Sequence, residues 1–246
     1  STYQGQGPDE ITIIGHVGID ETNRRFFVSD HGKLKIFAYD LDSVLTTPEY
    51  QPSVKIDMKK KLFPDDYLYL NDTLCIAKII EPIGNNDYKP SVARWNMATG
   101  EINPMPYEYP DLKKVRFIYA ASAEHQLYVQ CYTQYDLMTI CDFNGNLKCN
   151  IYGPKWVNEK TQTQHYSLGV EFCGDKILAL YSGGDHRTDA YYPTKFLVFD
   201  LNGNYLKTLE TGYMITDFCY DKENNRLIIN LNDEIQFAYL DLEGII

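Results

Sequence analysis

A carboxylate, an imidazole and a guanidinium stand side by side at Asp185-His186-Arg187, within a stretch rich in Gly, Tyr and polar residues from 182 to 193. Three such groups could ligate a metal, bind a carboxylate or phosphate, or exchange a proton near neutral pH. No second His with helical or hairpin ligand spacing stands nearby, so a solvated loop that touches a ligand is a better reading than a metal or catalytic centre. The other polar and aromatic candidates are scattered: His31, Asn85-Asn86-Asp87-Tyr88, Trp156 and His165. No Gly-x-Ser-x-Gly, His-Glu-x-x-His or paired Cys-His motif occurs, and no catalytic residue, metal or cofactor is assigned. Gly5-Gln6-Gly7 neither follows a strand nor opens a helix, so it reads as a turn and not as a phosphate loop. Cys75, Cys131, Cys141, Cys149, Cys173 and Cys219 show no CxxC pair and read as small apolar residues.

The bulk properties narrow the classes further. Against 23 Lys and Arg stand 34 Asp and Glu, a net charge of −11 that repels a phosphate backbone and argues against nucleic-acid binding. Lys59-Lys60-Lys61 and Lys113-Lys114 therefore read as charged strand edges. No apolar run reaches the 18 to 20 residues, roughly, that cross a bilayer as a helix. Twenty-one Tyr, 16 Gly and 11 Pro point to strands and turns.

The elements that must position the candidates emerge from self-similarity. Residues 20–28, Asp-Glu-Thr-Asn-Arg-Arg-Phe-Phe-Val, align without a gap on residues 221–229, Asp-Lys-Glu-Asn-Asn-Arg-Leu-Ile-Ile. An apolar strand ending in a polar turn recurs around Asp40, Asn96, Asp142, Asp200 and Asp241, and each is a hairpin signal. These positions lie 56, 46, 58 and 41 residues apart. Such spacing is close to that of propeller repeats, and units of four short antiparallel strands bury both faces by stacking radially. The expectation is an all-β chain forming a β-propeller as one domain over 1–246, with units near 11–58, 59–108, 109–152, 153–210 and 211–246. The two long spacings are read as insertions between second and third strands, at Glu81 to Pro90 and Gly183 to Lys195.

Gly5-Gln6-Gly7-Pro8-Asp9-Glu10, residues 195–204 and the Asp221 to Asn225 turn resemble the TolB-like six-bladed propellers of bacterial cell-envelope proteins, relatives of NHL-type propellers. The resemblance implies six blades where five units are visible, as though the first blade were missing. Residues 1–10 are then the tail of a preceding blade or, through Ser1 to Gln4, a ring-closing outer strand. It also implies an exported protein, periplasmic or an outer-membrane lipoprotein.

In a four-stranded blade, the connections between strands two and three share a face with those leading to the next blade. That face would collect His31, Asp87, Tyr88, Trp156, His165, Asp185, His186 and Arg187. The expected function is non-catalytic binding of a protein, peptide or carbohydrate there. The alternative is a propeller hydrolase or lyase acting on a sugar or peptide, which needs His31, His165, His186, Asp87 or Asp185 to converge. A plainer role for Trp156 is to plug the gap between neighbouring blades.

Overall fold

The computed structural model describes residues 10–84, 87–185, 187–188 and 191–246. It divides into two compact units, Ser1–Pro106 and Tyr107–Ile246.

The first unit holds two antiparallel four-stranded meanders. One consists of β1 (Ile14–Asp20), β2 (Arg25–Asp30), β3 (Lys35–Asp40) and β4 (Ser53–Asp57); the other of β5 (Phe63–Asn71), β6 (Leu74–Gly84), β7 (Asp87–Asn96) and β8 (Glu101–Pro104). The second unit holds three meanders. These are β9 (Phe117–Ser122) to β12 (Leu147–Tyr152) through β10 (Leu127–Tyr132) and β11 (Leu137–Asp142), then β13 (Thr163–Cys173), β14 (Lys176–Asp185), β15 (Lys195–Asp200) and β16 (Tyr205–Glu210), and finally β17 (Ile215–Asp221), β18 (Arg226–Leu231) and β19 (Phe237–Asp241). Strand order equals chain order in every sheet, which is the blade plan of a β-propeller. The last sheet has three strands among the described residues. The Gly5 to Asp9 stretch and the outer strand expected at Ser1 to Gln4 lie outside them.

Pleating explains why the strands read as apolar runs. Along β14, Ile177, Ala179 and Tyr181 enter one core with Val129, Ile140 and Tyr166, while Leu178 and Leu180 point the other way into a core with Phe218, Leu227 and Ile229. Side chains alternate faces at every residue, so a sheet buried on both sides needs apolar residues at both parities. In the first unit, Phe27, Ile36, Tyr67, Ile79 and Trp95 form the corresponding core between its two sheets. First strands lie against first strands: β1 packs on β5, and β13 on β9 and β17.

The sequence repeat is a structural repeat. Asp20 accepts hydrogen bonds from the Asn23 backbone and side chain and pairs with Arg25 at 2.6 Å; Asp221 does the same with Asn224 and with Arg226 at 2.8 Å. Asp142 and Asp200 build matching turns. In each, one carboxylate oxygen accepts the N–H groups two and four residues on, while the other accepts the side-chain amide of Asn146 or Asn204.

Two expectations are corrected. Asp40 does not start a hairpin turn: its carboxylate accepts the Ser43 N–H at 2.7 Å and caps a six-residue helix, α1 (Leu41–Thr46), because Asp is a good N-cap and the next residues lack a turn-forming Gly. The 81–90 stretch is not a looped insertion either. It extends the β6–β7 ladder through Glu81↔Lys89, Pro82↔Tyr88 and Gly84↔Asp87, which satisfies backbone groups that a loop would leave to water.

Candidate functional site

Each unit gathers ionisable side chains where a first strand is irregular. In β1, Ile14 pairs with Asp30 and Val17 with Val28, so Gly15 and His16 together oppose the single residue Ser29. In β5, Pro64 pairs with Ile79 and Asp66 with Lys78, leaving Asp65 as the extra residue. A β-bulge of this kind breaks strict alternation and re-aims side chains. The two bulged strands are neighbours, and their bulges open on one shallow, solvent-open cleft lined by Ile14, Gly15, His16, His31, Asp65 and Asp66.

Within that cleft His16 Nδ1 lies 2.9 Å from Asp66 Oδ1, and Lys78 Nζ donates to Asp65 Oδ2 at 2.7 Å. The Asp30 carboxylate fixes the geometry behind it. It accepts N–H groups from Thr12 and Ile13, which lead into β1, and from Gly32 and Lys33, which form the β2–β3 turn. Burial alone would raise the Asp30 pKa, but these four donors hold it below the usual carboxylate range. The turn is thereby clamped to β1, with the His31 N–H on the Ile13 carbonyl at 2.9 Å. The His31 ring packs against Gly15: a Cβ there would come within 2.7 Å of its Cε1 and Nε2. Two buried atoms in this region, His16 Nε2 and His31 Nε2, have no hydrogen-bond partner among the described residues.

The second unit also breaks the register beside a first strand, with a different outcome. Between the pairs Gln164↔Gly184 and Tyr166↔Tyr181, His165 of β13 faces two residues of β14, Ser182 and Gly183. His165 and Asp136 are each 1% exposed, with His165 Nδ1 3.6 Å from Asp136 Oδ1. Tyr181 bridges them, donating its O–H to Asp136 at 3.3 Å while its oxygen lies 3.3 Å from His165 Nδ1. The Lys155 N–H completes the Asp136 carboxylate at 2.9 Å. Gly153 must be glycine, since a Cβ there would stand 2.2 Å from that carboxylate. Burial pulls the His165 pKa below its ordinary value, with Asp136 opposing and Lys155 reinforcing the shift. A neutral imidazole in a satisfied, closed network is a structural element of the blade.

Beside this node Trp156 stands on the connection after β12. Its ring centroid is 5.0 Å from Tyr152, 5.8 Å from Tyr109 and 6.3 Å from Tyr135, and the Tyr109 and Tyr152 hydroxyls are 3.3 Å apart. Tyr135 is anchored on the Lys113 backbone and buried, whereas Tyr152 is 50% exposed and Trp156 half-buried. The result is an ordered aromatic surface with an exposed rim.

The predicted residues therefore divide. His31 joins a cleft whose other ionisable members, His16, Asp65 and Asp66, the sequence reading missed; His165 joins Asp136 and Tyr181. Asp87 and Tyr88 begin β7, with the Tyr88 N–H on the Asp87 carboxylate. Asp185 ends β14 and accepts the Arg187 N–H at 2.9 Å, a local turn. His186, Asn85 and Asn86 lie outside the described residues. Among the described residues no group of three or more His, Cys, Asp or Glu is placed to hold a metal ion.

Repeated meanders of this order define a β-propeller. Residues 2–73 match a family, DUF5128, described as a 6-bladed beta-propeller. No curated protein matches the chain. Among solved structures, the chain is similar to one described as the extracellular domain of a one-component system from B. thetaiotaomicron, with a TM-score of 0.59 and 11% identity over 94% of this chain and 28% of that one. It thus spans just over a quarter of that protein's chain. A chain of a nidogen/laminin complex gives 0.58 and 11% over 94% and 76%, and a protein of unknown function from Bacteroides caccae gives 0.52 and 13% over 94% and 78%. These likenesses are likenesses of fold.

Proposed function

We propose that this chain is a non-catalytic binding or protein-interaction propeller that works outside the cytoplasm, and that its contact surface is the aromatic cluster on the connection after β12. The observation that carries this reading is the set of Tyr109, Tyr152 and Trp156 rings, packed together at the end of β12 with one rim left exposed. Large flat rings with little rotamer freedom bind at low entropic cost, and their hydroxyl and indole groups suit a peptide, a protein surface or a sugar ring. The location draws on the resemblance to TolB-like envelope propellers and on an extracellular domain among the similar structures. No helix among the described residues is long and apolar enough to cross a membrane. A periplasmic protein or an outer-membrane lipoprotein fits both.

The test is binding of immobilised oligosaccharides and of a peptide library to the chain and to Trp156→Ala. Selective binding that falls at least about tenfold in the variant, with the unfolding midpoint nearly unchanged, supports the proposal. Binding that is indifferent to Trp156 and Tyr152 overturns it.

A hydrolase or lyase is the second reading, and the His16–Asp66 pair is what favours it. An aspartate on Nδ1 leaves Nε2 as the proton acceptor, the arrangement a general base needs. Here Nε2 is buried, away from any substrate that enters the cleft from solvent, so the reading ranks below binding.

A further inference from the structure

We infer that the pocket beside the turn between β4 and β5 is a docking site for an acidic segment of a partner protein, anchored there through one aliphatic side chain. Lys59, Lys60 and Lys61 do not edge a strand. They belong to a turn closed by a bridge between Lys59 and Leu62, with the Leu62 N–H on the Lys59 carbonyl. All three lysines are exposed, and none has a carboxylate partner among the described residues. Lys59 and Leu62 also line a pocket of about 80 Å³, together with Ile56, Met58, Pro64, Trp95 and Ile102. Such a volume holds one side chain and falls far short of the roughly 300 Å³ at which small-molecule sites begin, so what enters is part of a larger molecule.

Trp95 gives the pocket a directional group. It is 2% exposed, and its indole N–H has no acceptor among the described residues. That donor is not sealed from solvent as His16 Nε2 and His31 Nε2 are, so it is met from the pocket that Trp95 lines. A buried indole N–H ordinarily has a partner, and a backbone carbonyl of an inserted segment supplies one. The lysines select the sequence around the anchor. Asp57, which also lines the pocket, faces Lys35 at 3.7 Å and leaves the three lysine charges unmatched. On a chain of net charge −11, this local excess of positive charge draws carboxylates to the turn. An apolar anchor ringed by charges is the arrangement of ordinary protein interfaces. Every residue involved belongs to the first unit and the Trp156 surface belongs to the second, so either proposal can fail without the other.

The experiment is a proton–nitrogen NMR titration of the full chain at low ionic strength with the peptide acetyl-Glu-Glu-Leu-Glu-Glu-amide. It is read at the two indole N–H signals, which Trp156→Phe assigns. A saturable shift of the Trp95 signal, half-complete at or below about 1 mM, is expected while the Trp156 signal stays in place. Replacing the central Leu of the peptide by Gly should weaken binding at least about fivefold, and replacing its Glu residues by Lys should abolish it. Lys60→Glu together with Lys61→Glu should weaken binding at least about tenfold, with an unchanged unfolding midpoint because both residues are exposed on the turn. Should that variant unfold, the Gly peptide decides. No shift of the Trp95 signal, equal binding of the Gly peptide, or equal binding by the folded charge-reversed chain overturns the inference. So does sodium acetate that moves the signal as far at the same carboxylate concentration. A shift that grows with protein concentration in the absence of peptide also overturns it, by making a second copy of the chain the occupant.

Discussion

The His165 and His16 sites both lie where the pairing of a blade's first two strands slips, with the extra residue on β14 in one and on β1 in the other, and they end in opposite states. Around β13, His165 meets Asp136 and Tyr181 in a closed network from which water is excluded. Around β1 and β5, His16 meets Asp66 at the wall of an open cleft whose carboxylates remain partly exposed. A slip in register beside a first strand can thus accompany either a closed polar network or polar side chains left partly exposed. What decides is whether the neighbouring connection closes over it. In the second unit the connection after β12 does so, bringing the Gly153 N–H onto the Asp136 backbone carbonyl and the Lys155 N–H onto its carboxylate.

The largest effect of breaking this contrast belongs to the closed network. Asp136→Ala should cost about 3 kcal/mol, because it strands the Tyr181 hydroxyl and the Lys155 N–H in a dry site. Urea denaturation measures this, and a loss under about 1 kcal/mol would place the network nearer to solvent than its burial implies.

The next effect is a slope in pH. The folded-state pKa of His165 is depressed, so the unfolded chain takes up the proton first as pH falls below the ordinary imidazole value near 6.5. Its contribution to stability is complete above that value and is lost as pH falls toward the depressed folded-state value. His165→Gln should flatten this part of the stability profile while leaving the more acidic carboxylate region intact. An unchanged slope would assign the dependence to other groups.

The smallest effect belongs to the open cleft. Asp66→Asn should change stability by no more than about 1 kcal/mol, since a partly exposed ion pair contributes little. A loss as large as that of Asp136→Ala would mean that the cleft is a structural node too, and the contrast would collapse.

The sheets were legible because each needs an apolar run at both parities and a turn of Asp, Asn and Gly, and residues 20–28 and 221–229 carry that pattern openly. The chemistry was legible in part. His31 and Trp156 declare themselves by type and by position on connections. His16 and Asp65-Asp66 do not, because a bulge is a matter of register: Gly15-His16-Val17 and Pro64-Asp65-Asp66 look like ordinary strand starts, and only the partners Ser29 and Lys78 reveal the extra residue. Gly15 was the available signal, a glycine within a strand that marks a bulge or a close approach. Asp136 was hidden for another reason. Its partners, Lys155, His165 and Tyr181, lie 19, 29 and 45 residues away in the chain. In the Asp185-His186-Arg187 trio the Asp185 carboxylate accepts the Arg187 N–H in a local turn, which sequence types alone do not announce, and His186 lies outside the described residues.

The matched turns after β11 and β15 bear on how the chain ages. Each contains an Asn-Gly step, Asn144-Gly145 and Asn202-Gly203, the pairing most prone to deamidate when the glycine nitrogen attacks the asparagine side chain. In both turns that nitrogen donates its proton to the carbonyl of Asp142 or Asp200, at 2.9 and 3.0 Å, and is held in the turn instead of being free to close the ring. The folded hairpin protects its own most labile bond, and the damage accumulates in molecules that unfold.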